Sequence, residues 1–170
     1  IISFFILSLS FCLSQWFQLN HGGVNRTYLI SYPDNSTEPC PLVISMHGYT
    51  SNATSQQYYS QMDQYAHPQN IAVVYPQGMS NTQGIPSWNV GAYWDANSYD
   101  DVGFISAIID NIASNFSINL DRVYACGMSN GGYMSYELAC ELSDKIAAFG
   151  SVTGNFMLNP DQECENNREI

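Results

Sequence analysis

Residues 123–140 read VYACGMSNGGYMSYELAC, and the fold turns on this stretch. The apolar run Val123 to Cys126 predicts a strand, and Tyr133, Met134, Tyr136, Leu138 and Ala139 predict a helix behind it. Between them lies Gly127-Met128-Ser129-Asn130-Gly131, a G-x-S-x-G spacing. A serine at the tip of such a strand-to-helix turn adopts a strained backbone, and glycine on either side removes the side chains that would collide with neighbouring chain. Five residues of this kind also occur in ordinary glycine-rich turns; the strand before and the helix after are what make Ser129 a candidate nucleophile. The helix aims its free N–H groups and the positive end of its dipole at the same spot.

Upstream, Ile1 to Leu13 is an apolar run too short for a bilayer, which needs about 20 such residues. It reads as the core of a secretory signal, with Cys12 and Ser14 as the small residues before a cut near Gln15. The expected division is therefore a partial signal peptide over 1–14 and one domain over 15–170, the rival reading being a buried N-terminal strand or helix. An anchor at Cys12 is disfavoured by bulky Phe11.

The remainder is long enough for one sizeable core, and 45% hydrophobic with 14% aromatic residues describes a folded globule. Arg26, Arg122, Lys145 and Arg168 face fifteen acidic residues, a net charge of -11. Such a surface repels phosphate backbones and anionic lipid, so nucleic acid and stable membrane association are excluded as partners and a neutral polymeric or small substrate is favoured. Cys40, Cys126, Cys140 and Cys164 allow three pairings, and the sequence does not choose among them; Cys140 with Cys164 is the expectation, because Cys126 falls in the presumed buried strand. No cysteine or histidine spacing resembles a zinc site, and no cofactor is expected. Asn25, Asn35, Asn52 and Asn115 head N-x-S/T triplets.

Along the chain, Arg26–Tyr32, Pro41–Met46, Ile71–Tyr75 and Ala147–Val152 predict further strands, with a helix over Thr54–Ala66 capped by Thr54. Pro41–Met46 is apolar throughout, as suits a strand covered on both faces, and runs into His47-Gly48-Tyr49-Thr50. The backbone N–H just after such a strand and that of the residue after the nucleophile can together hold an oxyanion. These donors are assigned to Tyr49 and Asn130, with His47 and Gly48 shaping the loop and His47 structural rather than the base. The long segment Pro76–Tyr99 carries Trp88, Tyr93, Trp94 and Tyr99, which either line a substrate groove or pack the loop onto the body; Trp88 is the foremost candidate for substrate contact. Asp100 and Asp101 open a helix with apolar residues at Val102, Ile105, Ile108, Ile109 and Ile112, and both read as caps. Alternation of apolar strands with helices predicts a three-layer α/β/α domain with a mostly parallel sheet.

The set His47-Gly48, Ser87-Trp88-Asn89, Asp100-Asp101-Val102-Gly103-Phe104, Asp121-Arg122-Val123-Tyr124 and Gly127 to Gly132, over about Gly22–Gly154, resembles the secreted polyhydroxybutyrate depolymerase and feruloyl esterase group of α/β-hydrolases, akin to carbohydrate esterase family 1. The resemblance implies an extracellular or periplasmic serine esterase acting on hydroxyalkanoate polyester, or on feruloylated or acetylated plant polysaccharide. In that fold the triad runs Ser, acid, His, yet His21, His47 and His67 all precede Ser129. The order His47, Asp101, Ser129 matches chymotrypsin-like enzymes formally, but their antiparallel barrels place no helix directly after the serine. The expectation is instead that the catalytic acid and histidine lie beyond residue 170, that the last parallel strand shows a bare edge, and that the chain alone turns over little substrate. The alternative is a catalytically silent secreted protein that holds polysaccharide on its aromatic loop.

Overall fold

The apolar segment Cys40–Met46 (β3), buried at every position but Val43, lies inside a six-stranded sheet. The computed structural model describes residues 14–34, 36–90, 97–155 and 164. In chain order the elements are β1 (Gln15–His21), β2 (Val24–Ser31), β3, α1 (Ala53–Ser60), α2 (Met62–Ala66), β4 (Ala72–Pro76), α3 (Asp101–Asn115), β5 (Ile118–Met128), α4 (Asn130–Glu141) and β6 (Ala148–Val152). The strands lie in the order β1-β2-β4-β3-β5-β6. β4, β3, β5 and β6 run parallel, while β1 and β2 are antiparallel to their neighbours.

Alternate side chains divide the core between two faces, as the strand period of two requires. Ile44, Met46, Val74, Val123 and Ala125 face Phe104, Ile105, Ile108 and Ile112 of α3 with Met134 and Leu138 of α4. Leu29, Val73 and Tyr75 meet Ala53 and Ala66 from the α1–α2 pair, with Met62 beside them. The result is the expected helix–sheet–helix sandwich with a mostly parallel sheet.

Several details differ from expectation. β1 is a strand absent from the sequence-based expectation: its Phe17 stacks on Tyr28 at 5.5 Å and meets Phe116 edge-on at 5.7 Å. Gly22 and Gly23, with φ of 60° and 80°, make the two-residue turn that pairs β1 with β2. The helix after β3 is capped by Asn52, not Thr54, because the Asn52 carboxamide oxygen accepts the Ser55 N–H at 2.8 Å. It also breaks at Gln61, where φ of 49° ends α1 and restarts the chain as α2. Asp100 does cap α3, accepting the Gly103 N–H at 2.8 Å. Asp101 does more: it is buried in an ion pair with Arg26, whose guanidinium lies 3.7 Å over the Phe104 ring, and it accepts the Asn89 N–H at 2.7 Å. The carboxylate thereby ties the loop after Trp88 to β2 and α3.

Cys140 and Cys164 form a disulfide, and Cys40 and Cys126 are free thiols. Among the described residues the outer edge of β6 pairs with no strand, and Val152 is exposed there. Residues 1–13, Tyr93 and Trp94 lie outside the described residues, and with them the expected leader and two of the four aromatic residues named in the loop.

Candidate active site

β5 ends at Met128 and α4 begins at Asn130, which leaves Ser129 alone at the corner with φ 51° and ψ −115°. A non-glycine residue in that region of backbone space is strained, and the surrounding structure must hold it there. Two hydrogen bonds do so: the Ser129 N–H donates to Val152 O on β6 at 2.8 Å, and Ser129 O accepts the Tyr133 N–H at 3.0 Å. A β-carbon on Gly127 would lie 2.3 Å from Gly131 O, and one on Gly131 would lie 2.3 Å from Met46 O, so both glycines are required by close backbone approach. The Ser129 side chain is half-buried, and its hydroxyl has no partner among the described residues.

The corner stands at the C-terminal ends of β3, β5 and β6, where ligands bind in open parallel sheets. The loop leaving β3 lies directly against it: a β-carbon on Gly48 would be 3.6 Å from the Ser129 β-carbon and 3.3 Å from Met128 O. Tyr49 follows Gly48, and Asn130 holds the first helical position of α4, whose N–H has no intrahelical acceptor. Both expected donor segments therefore meet beside Ser129.

His47 is fully buried, and both ring nitrogens are engaged away from Ser129. Nδ1–H donates to Gly48 O at 2.8 Å and Nε2 accepts the Gly78 N–H at 3.0 Å, which fixes the neutral tautomer. Burial lowers its pKa from 6.5 to about 4, with the Gly48 carbonyl opposing the shift. The unfolded chain thus takes up this proton first as pH falls. The contribution is fully present above pH 6.5, declines between 6.5 and about 4, and is flat below. On the order of 3 kcal/mol of stability should be lost across that window through this residue. Urea unfolding at pH 7.5 and pH 4 checks it: His47→Gln should flatten the acid limb, and an unchanged pH slope in the variant refutes the assignment.

His21 and His67 are also committed elsewhere. His21 Nε2 lies 3.0 Å from an Asp100 carboxylate oxygen, and His67 Nε2 lies 3.3 Å from Ser31 Oγ. No histidine of the chain meets Ser129, and Asp101 serves Arg26, so the formal His47, Asp101, Ser129 order is not a triad.

Trp88 requires a correction. It has 0% exposure, its indole N–H donates to His47 O at 2.8 Å, and its ring packs on the His47 imidazole at 5.0 Å. A side chain with no accessible surface cannot be the substrate platform expected of it; the loop turns the indole inward because His47 O, just past the end of β3, offers a buried acceptor. The Asn130 side chain has a role that no local sequence signal marks. It is fully buried, accepting the Trp88 N–H at 2.6 Å and donating to Trp88 O at 3.2 Å. Its position after the candidate nucleophile assigns a role only to its backbone.

The sequence matches the family described as Esterase PHB depolymerase over residues 26–161. It is 30% identical over 132 residues to the bifunctional acetylxylan esterase/xylanase XynS20E of Neocallimastix patriciarum, covering 78% of this chain and 18% of that protein. It is 32% identical over 125 residues to feruloyl esterase B of Piromyces equi, covering 72% of this chain and 23% of that protein. The chain thus spans less than a quarter of either relative. The solved acetyl xylan esterase from Aspergillus awamori superposes with a TM-score of 0.67 at 20% identity, over 87% of this chain and 56% of that one, a likeness of fold. A serine perched between β5 and α4, a β3 loop seated against it and a match across most of the sequence agree: the chain belongs to the Esterase PHB depolymerase family.

Proposed function

We propose that the protein is a secreted serine esterase that cleaves carboxylic esters of a neutral polymer through an acyl-enzyme on Ser129. The observation that carries the proposal is the strained Ser129 corner with the Gly48 backbone packed against it. Ser129 Oγ attacks the ester carbonyl, and the Tyr49 and Asn130 N–H groups stabilise the tetrahedral oxyanion. Losing one such donor costs about 3 kcal/mol of barrier. The proton acceptor is a histidine other than the three in this chain, each of which is engaged elsewhere. Accordingly the 170 residues alone turn over little ester, because an unassisted hydroxyl is a weak nucleophile.

For the substrate, the family description points to hydroxyalkanoate polyester, and the names of the two relatives point to acetylated or feruloylated xylan. The net charge of -11 favours neutral chains of either kind over anionic ones. The lack of a histidine at Ser129 also supports a second reading, a catalytically silent protein that binds polysaccharide; with Trp88 buried, that reading rests on the rest of the aromatic loop. Treating the full-length protein with a fluorophosphonate and mapping its peptides separates the two. The expected result is one adduct on Ser129; no adduct on that residue ends the mechanism.

A further inference from the structure

The two backbone segments expected to hold the oxyanion come from different parts of the chain, the loop after β3 and the start of α4. Four side-chain hydrogen bonds join them through a third segment. The Asn130 carboxamide closes a two-bond ring on the Trp88 backbone, at 2.6 Å to its N–H and 3.2 Å to its carbonyl. The Trp88 indole N–H then bonds His47 O at 2.8 Å, and the His47 ring bonds Gly48 O at 2.8 Å. Asn130, Trp88 and His47 all have 0% exposure, so water does not compete for these bonds. A carboxamide and an indole are an unusual choice for such a dry site, where apolar packing would serve stability alone. What they add is direction: each bond fixes one backbone segment relative to the next.

We propose that the side chains of Asn130 and Trp88 are positioning residues that lock the Tyr49 and Asn130 N–H groups into one oxyanion site. This rests on the esterase reading for its chemical consequence but not for its structural one. The carboxamide of Asn130 reaches Trp88, the indole reaches the end of β3, and the chain carries the restraint through Gly48 to Tyr49. Because the oxyanion forms only in the transition state, loosening the lock should slow turnover while leaving ester binding almost unchanged.

The variants Trp88→Phe and Asn130→Ala test it, the first retaining most of the ring volume while deleting the indole donor. Amide ¹⁵N relaxation on the protein gives the structural readout. Gly48 and Tyr49 should fall from rigid order parameters near about 0.85 to below about 0.6 in both variants, while Val74 in β4 stays rigid. The kinetic readout, on full-length protein, is kcat per phosphonate-titrated site: a loss of about tenfold to a hundredfold is expected, with KM changed less than about twofold. A merely structural role would lower the unfolding midpoint without moving either readout. Order parameters at Gly48 and Tyr49 that stay rigid in both variants overturn the proposal whatever the activity. A parent that fails to label at Ser129 counts against the esterase reading and leaves the relaxation result to decide the lock.

Discussion

Ser129→Ala should reduce ester hydrolysis by the full-length protein about 10⁴- to 10⁶-fold, the range seen when a nucleophile that works with a base is deleted. The loss should be chemical and not structural. The Ser129 hydroxyl has no partner among the described residues, and the bonds that hold the corner, to Val152 O and from Tyr133 N–H, belong to the backbone and survive the change. Alanine suffers the same strain as serine at φ 51°, so the unfolding midpoint should barely move. Ser129→Gly sharpens the test, because glycine adopts this conformation freely. It should be as inactive as the alanine variant yet more stable by about 1 kcal/mol. Activity and stability moving in opposite directions at one position would be the signature of strain retained for chemistry. Hydrolysis by Ser129→Ala within about a hundredfold of the parent would remove Ser129 from the mechanism.

Much of this arrangement can be read in the sequence because strong local signals coincide there. The strand Val123 to Cys126, the two glycines and the helix behind them each require the same turn, and the apolar segment ending at Met46 can only be an interior strand. Elsewhere the local signal is weak or double. β1 alternates as QWFQLNH and is closed by Gly22-Gly23, a hairpin signature, but its polar residues follow directly on the hydrophobic leader-like run, which masks the alternation. Asp100 and Asp101 look alike in a row, and a cap is the obvious role for both; only the fold brings Arg26, 75 positions away in sequence, against Asp101. Trp88 illustrates the same limit at the site. Tryptophan in a long loop is equally suited to solvent-facing stacking and to burial with a satisfied N–H, and what decides is an acceptor, His47 O, 41 positions upstream. The Asn130 carboxamide bridges 42 positions to Trp88, so no spacing rule could reveal it.

Gly131→Ala should destabilise the fold by more than about 4 kcal/mol, because the added methyl has nowhere to go. Its carbon would sit 2.3 Å from Met46 O and 2.7 Å from His47 O, both main-chain atoms. Neither carbonyl can retreat. Met46 is in register with Gly127 across the β3–β5 ladder, and His47 O accepts the Trp88 indole at 2.8 Å. Relief therefore requires α4 to lift away from β3, which pulls Asn130 from Trp88 and tilts Ser129 out of its corner. Gly150→Ala is the matched control: the nearest atom to its added carbon is the Cys126 β-carbon at 3.8 Å, an ordinary contact, so it should alter stability by less than about 1 kcal/mol. Urea midpoints of the two variants measured side by side decide the matter. If Gly131→Ala unfolds within about 1 kcal/mol of Gly150→Ala, then α4 is not seated on β3 as closely as the structure has it. In that case the backbone approach that presents Ser129 fails too, since the Gly131 contact and the serine corner are consecutive parts of one turn.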